Sequence, residues 1–291
     1  MPRRGRRARG LRDADLRRGT VAAALRIVDA VVLAGGPPAP ALTGSALPKA
    51  FAPVGGSTMV ERVLSALRAT PHIGRIALAG PASVPPAIAA AATMTVVATG
   101  GLLDNLAAGL AALGGPRPVD ASRGAVSVLV AAADVPLLTS AAVAAFLDAA
   151  DAADADAAYA IVSREDVVRA FPGVRKTFVR LADGTFTGGS LILLRPAAFV
   201  RVRPILERAV RARKRPWDLA RLFGLGTLVG LATGRLRIAA LERRAEAVAG
   251  LRARAIVCRD PGVALDVDTP EVLDVVRAVL APAPGAAVHV G

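Results

Sequence analysis

The chain of 291 residues is long enough for one large domain, and its hydrophobic fraction of 54% is sufficient for a buried core. Its net charge is +14, but only 3% of its residues are aromatic, which argues against a protein that stacks single-stranded nucleic acid on aromatic side chains. The single cysteine, Cys258, excludes an internal disulfide framework and a thiolate zinc cluster, and two histidines do not favour a histidine zinc site or a Ser-His-Asp triad.

The positive charge is concentrated before the first predicted strand. Residues 1–26 carry nine arginines and two aspartates, for a net charge of +7, and we interpret them as a disordered basic extension. They lack the apolar segment of a secretory signal, and the most apolar run, 222–234, is too short to span a bilayer. We therefore expect a cytoplasmic protein with no specific nucleic-acid partner.

The first half of the chain alternates between two hydrophobic patterns. Continuous apolar runs predict buried strands at 27–34, 75–80, 94–98 and 125–134. Apolar residues at helical spacing predict helices at 58–69, 102–113 and 139–154, with Ser57 or Thr58 as N-cap of the first and Thr139 as N-cap of the last. This order predicts an α/β protein with a mostly parallel sheet that is covered on both faces.

The second half begins with short strands and turns. "AAYAIVS", "KTFVRLADGTFT" and "GGSLILLRP" read as strands, and "ADGT" is a hairpin signal. Residues 197–250 read as an arginine-rich helical insert, followed by a strand-like run at 253–267. The last helix should start at Thr269 and Pro270 and end at 280, before a loose tail over 282–291. We predict one domain over 27–281.

Two features near the start of the chain suit phosphate binding. Gly35 and Gly36 follow the first strand, where the absence of Cβ atoms lets the backbone approach a phosphate or a base. Lys49, one of three lysines in a chain rich in arginine, comes next in "ALPKAFAPVGG". A lysine is a compact, mobile charge that can follow a phosphate through a reaction. The alternative for Lys49 is a solvated surface residue.

Three aspartates are candidate metal ligands. Asp134 stands where an uncharged strand leaves the core, and Asp266 and Asp268 lie two apart in "ALDVDTP", on one face if that run is extended. Mg²⁺ prefers oxygen ligands, with one or two carboxylates supplemented by substrate phosphates. The alternatives are a turn or cap role for Asp134 and a cap of the last helix for Asp268.

Together these motifs resemble a known family. "VVLAGG…LPKAFAPVGGSTMVERVLSAL", "DNLAAGL", "AADVPLLT" and "DVDTPEVL" occur in the order seen in MobA-like nucleotidyltransferases, relatives of the molybdenum cofactor guanylyltransferases and the sugar-1-phosphate nucleotidyltransferases. The resemblance implies a Rossmann-like three-layer sandwich of the glycosyltransferase-A type. It also implies Mg²⁺-dependent transfer of a nucleotidyl group from an NTP to a small acceptor, expected to be phosphorylated, with release of pyrophosphate.

The resemblance also assigns roles to individual residues. Lys49 and Asp134 would be catalytic, with Asp134, Asp268 and Asp266 as metal ligands. Nucleotide binding would fall to Lys49 and to Leu33, Ala34, Gly35, Gly36 and Asn105. Acceptor binding would fall to Thr187, Gly188 and Gly189.

Three alternatives remain open at this stage. The family's first loop usually carries an arginine, whereas "PPAPALTGSAL" has no basic residue before Lys49, so a degenerate nucleotide-binding protein is one alternative. "DVD" also suits a glycosyltransferase of the same fold that uses a nucleotide-sugar donor. In a third version the enzyme uses 197–250 for peripheral contact with a membrane.

Overall fold

A computed structural model describes residues 27–114, 127–212 and 224–281 of the chain. The predicted basic extension 1–26 and the tail 282–291 lie outside these ranges. The strands are β1 Val28–Leu33, β2 Pro53–Val54, β3 Ser57–Thr58, β4 Ile73–Gly80, β5 Met94–Val97, β6 Val128–Ala132, β7 Ala157–Ser163, β8 Val179–Leu181, β9 Gly184–Leu194 and β10 Ala253–Cys258. The helices are α1 Pro40–Thr43, α2 Met59–Arg68, α3 Pro86–Ala91, α4 Leu102–Ala112, α5 Ser140–Ala152, α6 Arg164–Ala170, α7 Pro196–Ala212, α8 Leu225–Ala232, α9 Ile238–Ala249 and α10 Pro270–Leu280.

The main sheet has the strand order β10-β7-β9-β6-β1-β4-β5, with β8 paired to β9. β1 runs parallel to β4 and β6, β4 is parallel to β5, and β7 is parallel to β10. β9 is antiparallel to β6, β7 and β8. The predicted α/β class with a mostly parallel, mixed sheet is confirmed.

Helices cover both faces of the sheet because the central strands are apolar on both sides. Ala30 and Val32 of β1 join a core beneath α2, α5 and α10, whereas Val31 joins a second core beneath α4 and α7. Phe146 and Leu64 are among the largest fully buried side chains of the first core. The two cores make the three-layer arrangement that the apolar strands predict.

Threonine N-caps fix the start of three helices on one side of the sheet. Thr58 forms a capping box with Glu61 at the start of α2, and the hydroxyls of Thr139 and Thr269 accept hydrogen bonds from the first turns of α5 and α10. The predicted caps are confirmed. Because Thr269 caps α10, the alternative cap role of Asp268 is wrong.

The region after β7 differs in detail from the sequence prediction. A short helix, α6, follows β7 directly, because Ser163 caps it and Glu165 and Asp166 occupy its first turn. Of the predicted "KTFVRLADGTFT" segment, the part before the turn is paired only at Val179–Leu181. The part after the turn continues into "GGSLILL" as the single strand β9. The predicted hairpin turn lies between β8 and β9.

The arginine-rich insert is helical where it is described. α7 packs against α4, and α9 lies along the edge strand β10. Within the described part of the chain, no helix combines the length and the apolar character needed to cross a bilayer.

Candidate active site

The chemistry-bearing residues converge at the carboxyl edge of the sheet. β1 and β6 are parallel neighbours, with Leu33 opposite Ala132, so the residues that follow these two strands emerge side by side. In open α/β sheets this edge is where ligands bind. The glycine turn Gly35–Gly36 therefore lies next to the segment that carries Asp134.

The glycine turn is tightly enclosed on one side. A Cβ atom on Gly35 would lie 2.6 Å from Cβ of Ala98 and 3.0 Å from Nδ2 of Asn105. Gly36 has a φ of +138°, which side chains with a Cβ rarely adopt. Both positions thus require glycine, and the turn presents backbone alone to its surroundings.

Asn105 lies beside this turn, and its expected contact with a nucleotide stays a prediction. It is buried in α4, donates from Nδ2 to the carbonyl of Gly100 (3.2 Å) and accepts from the N–H of Gly100 at Oδ1 (3.3 Å). The side chain therefore fixes the loop that contacts Gly35. Its local role is to shape the wall of the glycine turn.

Lys49 is directed into the site by its local backbone. It starts a 3₁₀ turn, Lys49–Phe51, directly after Pro48, and the next two residues, Ala50 and Phe51, are buried. Its ammonium lies 2.6 Å from Oδ2 of Asp134 and also pairs with Asp268. The side chain is one-third exposed.

Backbone pairing brings the late aspartates to this place. The N–H of Val267 donates to the carbonyl of Asp134 (2.9 Å), which ties the segment before α10 to the end of β6. Leu265 and Val267 are buried, while the alternating Asp266 and Asp268 lie towards solvent. The prediction that the two carboxylates share a face is thus supported by the alternation of burial.

Burial and ion pairing shift the pKa values of this cluster in opposite directions. Burial raises the pKa of Asp134, and the pairing with Lys49 offsets it only in part. Burial lowers the pKa of Lys49, but the two carboxylates outweigh it, so the net direction is upward. The hydrogen bond from Lys49 lowers the pKa of the more exposed Asp268. Oδ1 of Asp134 is buried and has no hydrogen-bond partner within the described residues.

Sequence reasoning missed Lys176. Its side chain is 12% exposed, and its ammonium pairs with Asp266 and donates to the carbonyl of Ala264 at 2.6 Å. The signal was available, because Lys176 is the second of only three lysines in an arginine-rich chain. The feature that made Lys49 informative therefore applied equally to Lys176.

A cavity of about 820 Å³ opens beside the carboxylates. Its lining includes Lys176, Tyr159, Asp134, Asp266 and Asp268, together with the predicted acceptor residues Thr187, Gly188 and Gly189. A Cβ on Gly188 would lie 2.0 Å from the hydroxyl of Tyr159, so only glycine leaves room for that ring. Burial raises the pKa of Tyr159, and the nearby Asp266 adds to the effect.

The predicted metal ligands divide between the two lysines. Asp134 and Asp268 surround Lys49, whereas Asp266 pairs with Lys176. Over residues 27–114, 127–212 and 224–281, no three acidic, histidine or cysteine side chains form a ready-made metal group. The assignment of Asp134, Asp266 and Asp268 to a metal stays a prediction.

Known proteins resemble this chain in sequence and in fold. The family model of the MobA-like NTP transferase domain matches residues 30–183. A hypothetical transferase from Thermus thermophilus is 40% identical, over 84% of this chain and 99% of that chain, with a TM-score of 0.73.

Two more distant structures share the fold. A 4-diphosphocytidyl-2C-methyl-D-erythritol synthase from Anaerococcus prevotii is 12% identical, over 88% of this chain and 98% of that chain, with a TM-score of 0.53. A CMP:2-keto-3-deoxy-manno-octonic acid synthetase solved with CTP is 13% identical, with the same two coverages and a TM-score of 0.50. No curated protein sequence matches the chain.

The matched range contains the glycine turn, Lys49, Asn105 and Asp134, and it spans more than half of the chain. The chain therefore belongs to the MobA-like NTP transferase family and is a nucleotidyltransferase.

Proposed function

We propose that this protein transfers a nucleotidyl group from an NTP to a small phosphorylated acceptor, with Mg²⁺ and with release of pyrophosphate. The observation that carries the proposal is the cluster of Lys49, Asp134 and Asp268 between the glycine turn and the cavity. The cluster faces backbone suited to a nucleotide on one side and a lysine-bearing pocket on the other. This is the arrangement that a donor and an acceptor need in order to meet.

The charge balance of the site favours a divalent cation. Two lysines face three aspartates, so the five groups together carry −1 when all are ionised. A triphosphate would be repelled by that net charge, and the first loop has no basic residue to compensate. The buried, unpartnered Oδ1 of Asp134 is an oxygen ligand of the kind that Mg²⁺ prefers. The residues present therefore fit the ion.

Asp134 and Asp268 would hold Mg²⁺, with Asp266 as a further ligand if it leaves Lys176. When bound, the ion neutralises charge on the phosphates and stabilises the charge that develops during transfer.

The chain's own residues would position the donor. Gly35 and Gly36 would let the triphosphate approach the backbone, and Asn105 would keep the wall of that turn in place. Lys49 would contact the α-phosphate and the leaving group, because a lysine ammonium is mobile and can follow a moving charge. Catalysis would then rest on positioning and charge stabilisation rather than on a covalent intermediate.

The acceptor would occupy the cavity beside Lys176. Its phosphate would replace Asp266 as the partner of the Lys176 ammonium, which is nearly buried and already directed into the cavity. An oxygen of this phosphate forms the new bond to the α-phosphorus, while the bond between the α-phosphorus and the bridging oxygen breaks and pyrophosphate leaves. A phosphate nucleophile is already anionic, so the step needs no general base.

A pyrophosphate-release screen tests the proposal directly. Each of the four common NTPs is incubated with Mg²⁺ and pooled phosphorylated metabolites. We expect release that disappears with chelator and in Asp134→Ala, and that falls strongly in Lys49→Ala. Asp274→Ala, a change at an exposed carboxylate of α10, is the matched control and should leave release unchanged.

Two outcomes would contradict the proposal. Release of a nucleoside diphosphate from a sugar nucleotide, without pyrophosphate from any NTP, would identify a glycosyltransferase. Tight binding of an NTP without turnover on any acceptor would identify a nucleotide-binding protein that has lost catalysis.

A further inference from the structure

An apolar surface lies on the helical insert, away from the nucleotide site. α8 contains no charged residue, and none of its described side chains is buried. Val229 is 53% exposed, while Leu228 and Leu231 are half-buried. Leu236 packs on the same helix, since its Cβ lies 3.4 Å from where a Cβ on Gly230 would be. Val229 and Leu231 project about 200° apart around the helix, so its apolar side chains lie around it and not along one stripe. These four side chains together are called the α8 surface.

Arginines flank the α8 surface at the two ends of the helix. The Arg180 side chain lies 2.9 Å from where a Cβ on Gly234 would be, at the end of the helix, and Arg244 approaches Gly224 at its start. Arg235 is exposed and Arg237 is 74% exposed. The nearby carboxylate of Asp183 accepts from the N–H of Ile238 (2.6 Å) and lies 3.6 Å from Arg237. The four arginines at the helix ends thus outnumber this carboxylate.

The chemistry of this surface selects one class of partner. An uncharged helix with flanking arginines suits a bilayer that contains anionic lipid, because apolar side chains enter the acyl boundary and the arginines meet the headgroups. A second copy of this chain would bring two sets of flanking arginines together across a two-fold axis, which is repulsive. A nucleic acid would leave the exposed valine and leucines without an apolar partner.

We propose that the α8 surface docks onto anionic lipid bilayers as a peripheral contact. The insert is joined to the reaction site, because the N–H of Ala182, in the β8–β9 turn, donates to the carbonyl of Leu236 at 2.9 Å. β9 also carries Thr187, Gly188 and Gly189 of the cavity. Docking would thus hold the acceptor cavity near the membrane, but it does not depend on nucleotidyl transfer.

A site-specific fluorophore tests the contact on the full chain. Val229→Cys and Val279→Cys are labelled with an environment-sensitive dye, and Val279 is the control because it is similarly exposed on α10. The native Cys258 is buried, with its pKa raised to about 11, so the introduced thiols label selectively. With vesicles of equimolar phosphatidylcholine and phosphatidylglycerol, we expect a blue shift at 229 and none at 279. Vesicles of phosphatidylcholine alone should produce a much smaller blue shift at 229.

Flotation with the same vesicles provides a second readout. Arg235→Glu with Arg237→Glu should reduce bound protein about tenfold or more at low salt, since each basic residue near the surface adds measurably to binding. Val229→Asp should also reduce it, whereas Val279→Asp should not. All variants retain the basic stretch 1–26, so any binding through that stretch is the same in each of them. Equal binding by Val229→Asp and wild type would therefore overturn the proposal. A blue shift at 229 without vesicles, increasing with protein concentration, would also overturn it in favour of self-association.

Discussion

Replacing Asp134 by asparagine should separate function from stability. The carboxylate is 15% exposed, and burial keeps its pKa above the usual value despite the pairing with Lys49. A group whose pKa is raised on folding destabilises the folded state when it is ionised. Asparagine keeps the shape and removes the charge, and Lys49 retains Asp268 as a partner. We therefore expect Asp134→Asn to be folded and at least as stable as the wild type.

The expected changes in stability and in turnover are taken from comparable replacements in other proteins. Removing the cost of a functional buried polar group typically stabilises a protein by about 1 kcal/mol. For a domain of this size, that corresponds to a rise in Tm of roughly 2–4 °C. Turnover should fall by about 10² or more, because a preorganised charge at the reacting phosphate is lost. Differential scanning fluorimetry and pyrophosphate release measure the two effects, and Asp274→Asn is the exposed control.

The pH dependence of stability separately tests whether the charge of Asp134 destabilises the folded protein. Because the pKa of Asp134 is raised on folding, the folded wild type holds this proton more tightly than the unfolded chain does. Wild-type stability should thus rise relative to the variant as pH falls through the folded-state pKa, and the two Tm values should converge in acid. A variant that melts lower than wild type at neutral pH, with turnover intact, would refute the reasoning.

Other predictions concern single contacts. Arg203→Ala should raise the KM for NTP about threefold without changing kcat, because its exposed pair with Asp104 supports the loop beside the nucleotide only modestly. Asp104→Ala should raise the KM at least as much, because its carboxylate also accepts from the N–H of Gly101. Gly188→Ala should destabilise the protein by about 1–3 kcal/mol in thermal melts, because its methyl would meet the Tyr159 hydroxyl. Tyr159→Phe should restore much of that loss, and no rescue would contradict the contact. The Cys258 thiol, buried and with its pKa raised to about 11, should react with a thiol reagent at pH 8 only after denaturant is added. Rapid labelling of the native protein would show that it is accessible.

Much of the fold was predictable because it rests on local patterns. Apolar runs such as 27–34 identify buried strands by composition alone, and Thr58, Thr139 and Thr269 cap helices through contacts within a few residues. α6 was missed because its seven residues are too few to establish a helical period, although Ser163 and the acidic first turn mark its start.

The candidate site was predictable only as a set of residue types. The glycine turn, Lys49 and Asp134 stand out because each follows a strand or a turn, where function concentrates in parallel sheets. Lys176 shares with Lys49 its rarity as a lysine, but the sequence around it does not place it at the edge of the sheet, and its partners Asp266 and Ala264 are about ninety positions away in the chain.

The sequence by itself determined the α/β class, the helix starts and the glycine turn, since these depend on near neighbours and on burial averaged along each segment. The tertiary structure alone decided which carboxylate meets which lysine. That choice depends on the hydrogen bond from Val267 to Asp134, which joins two segments from opposite halves of the chain. It also decided that the α8 surface stays exposed, because exposure depends on what packs against a helix and not on its composition.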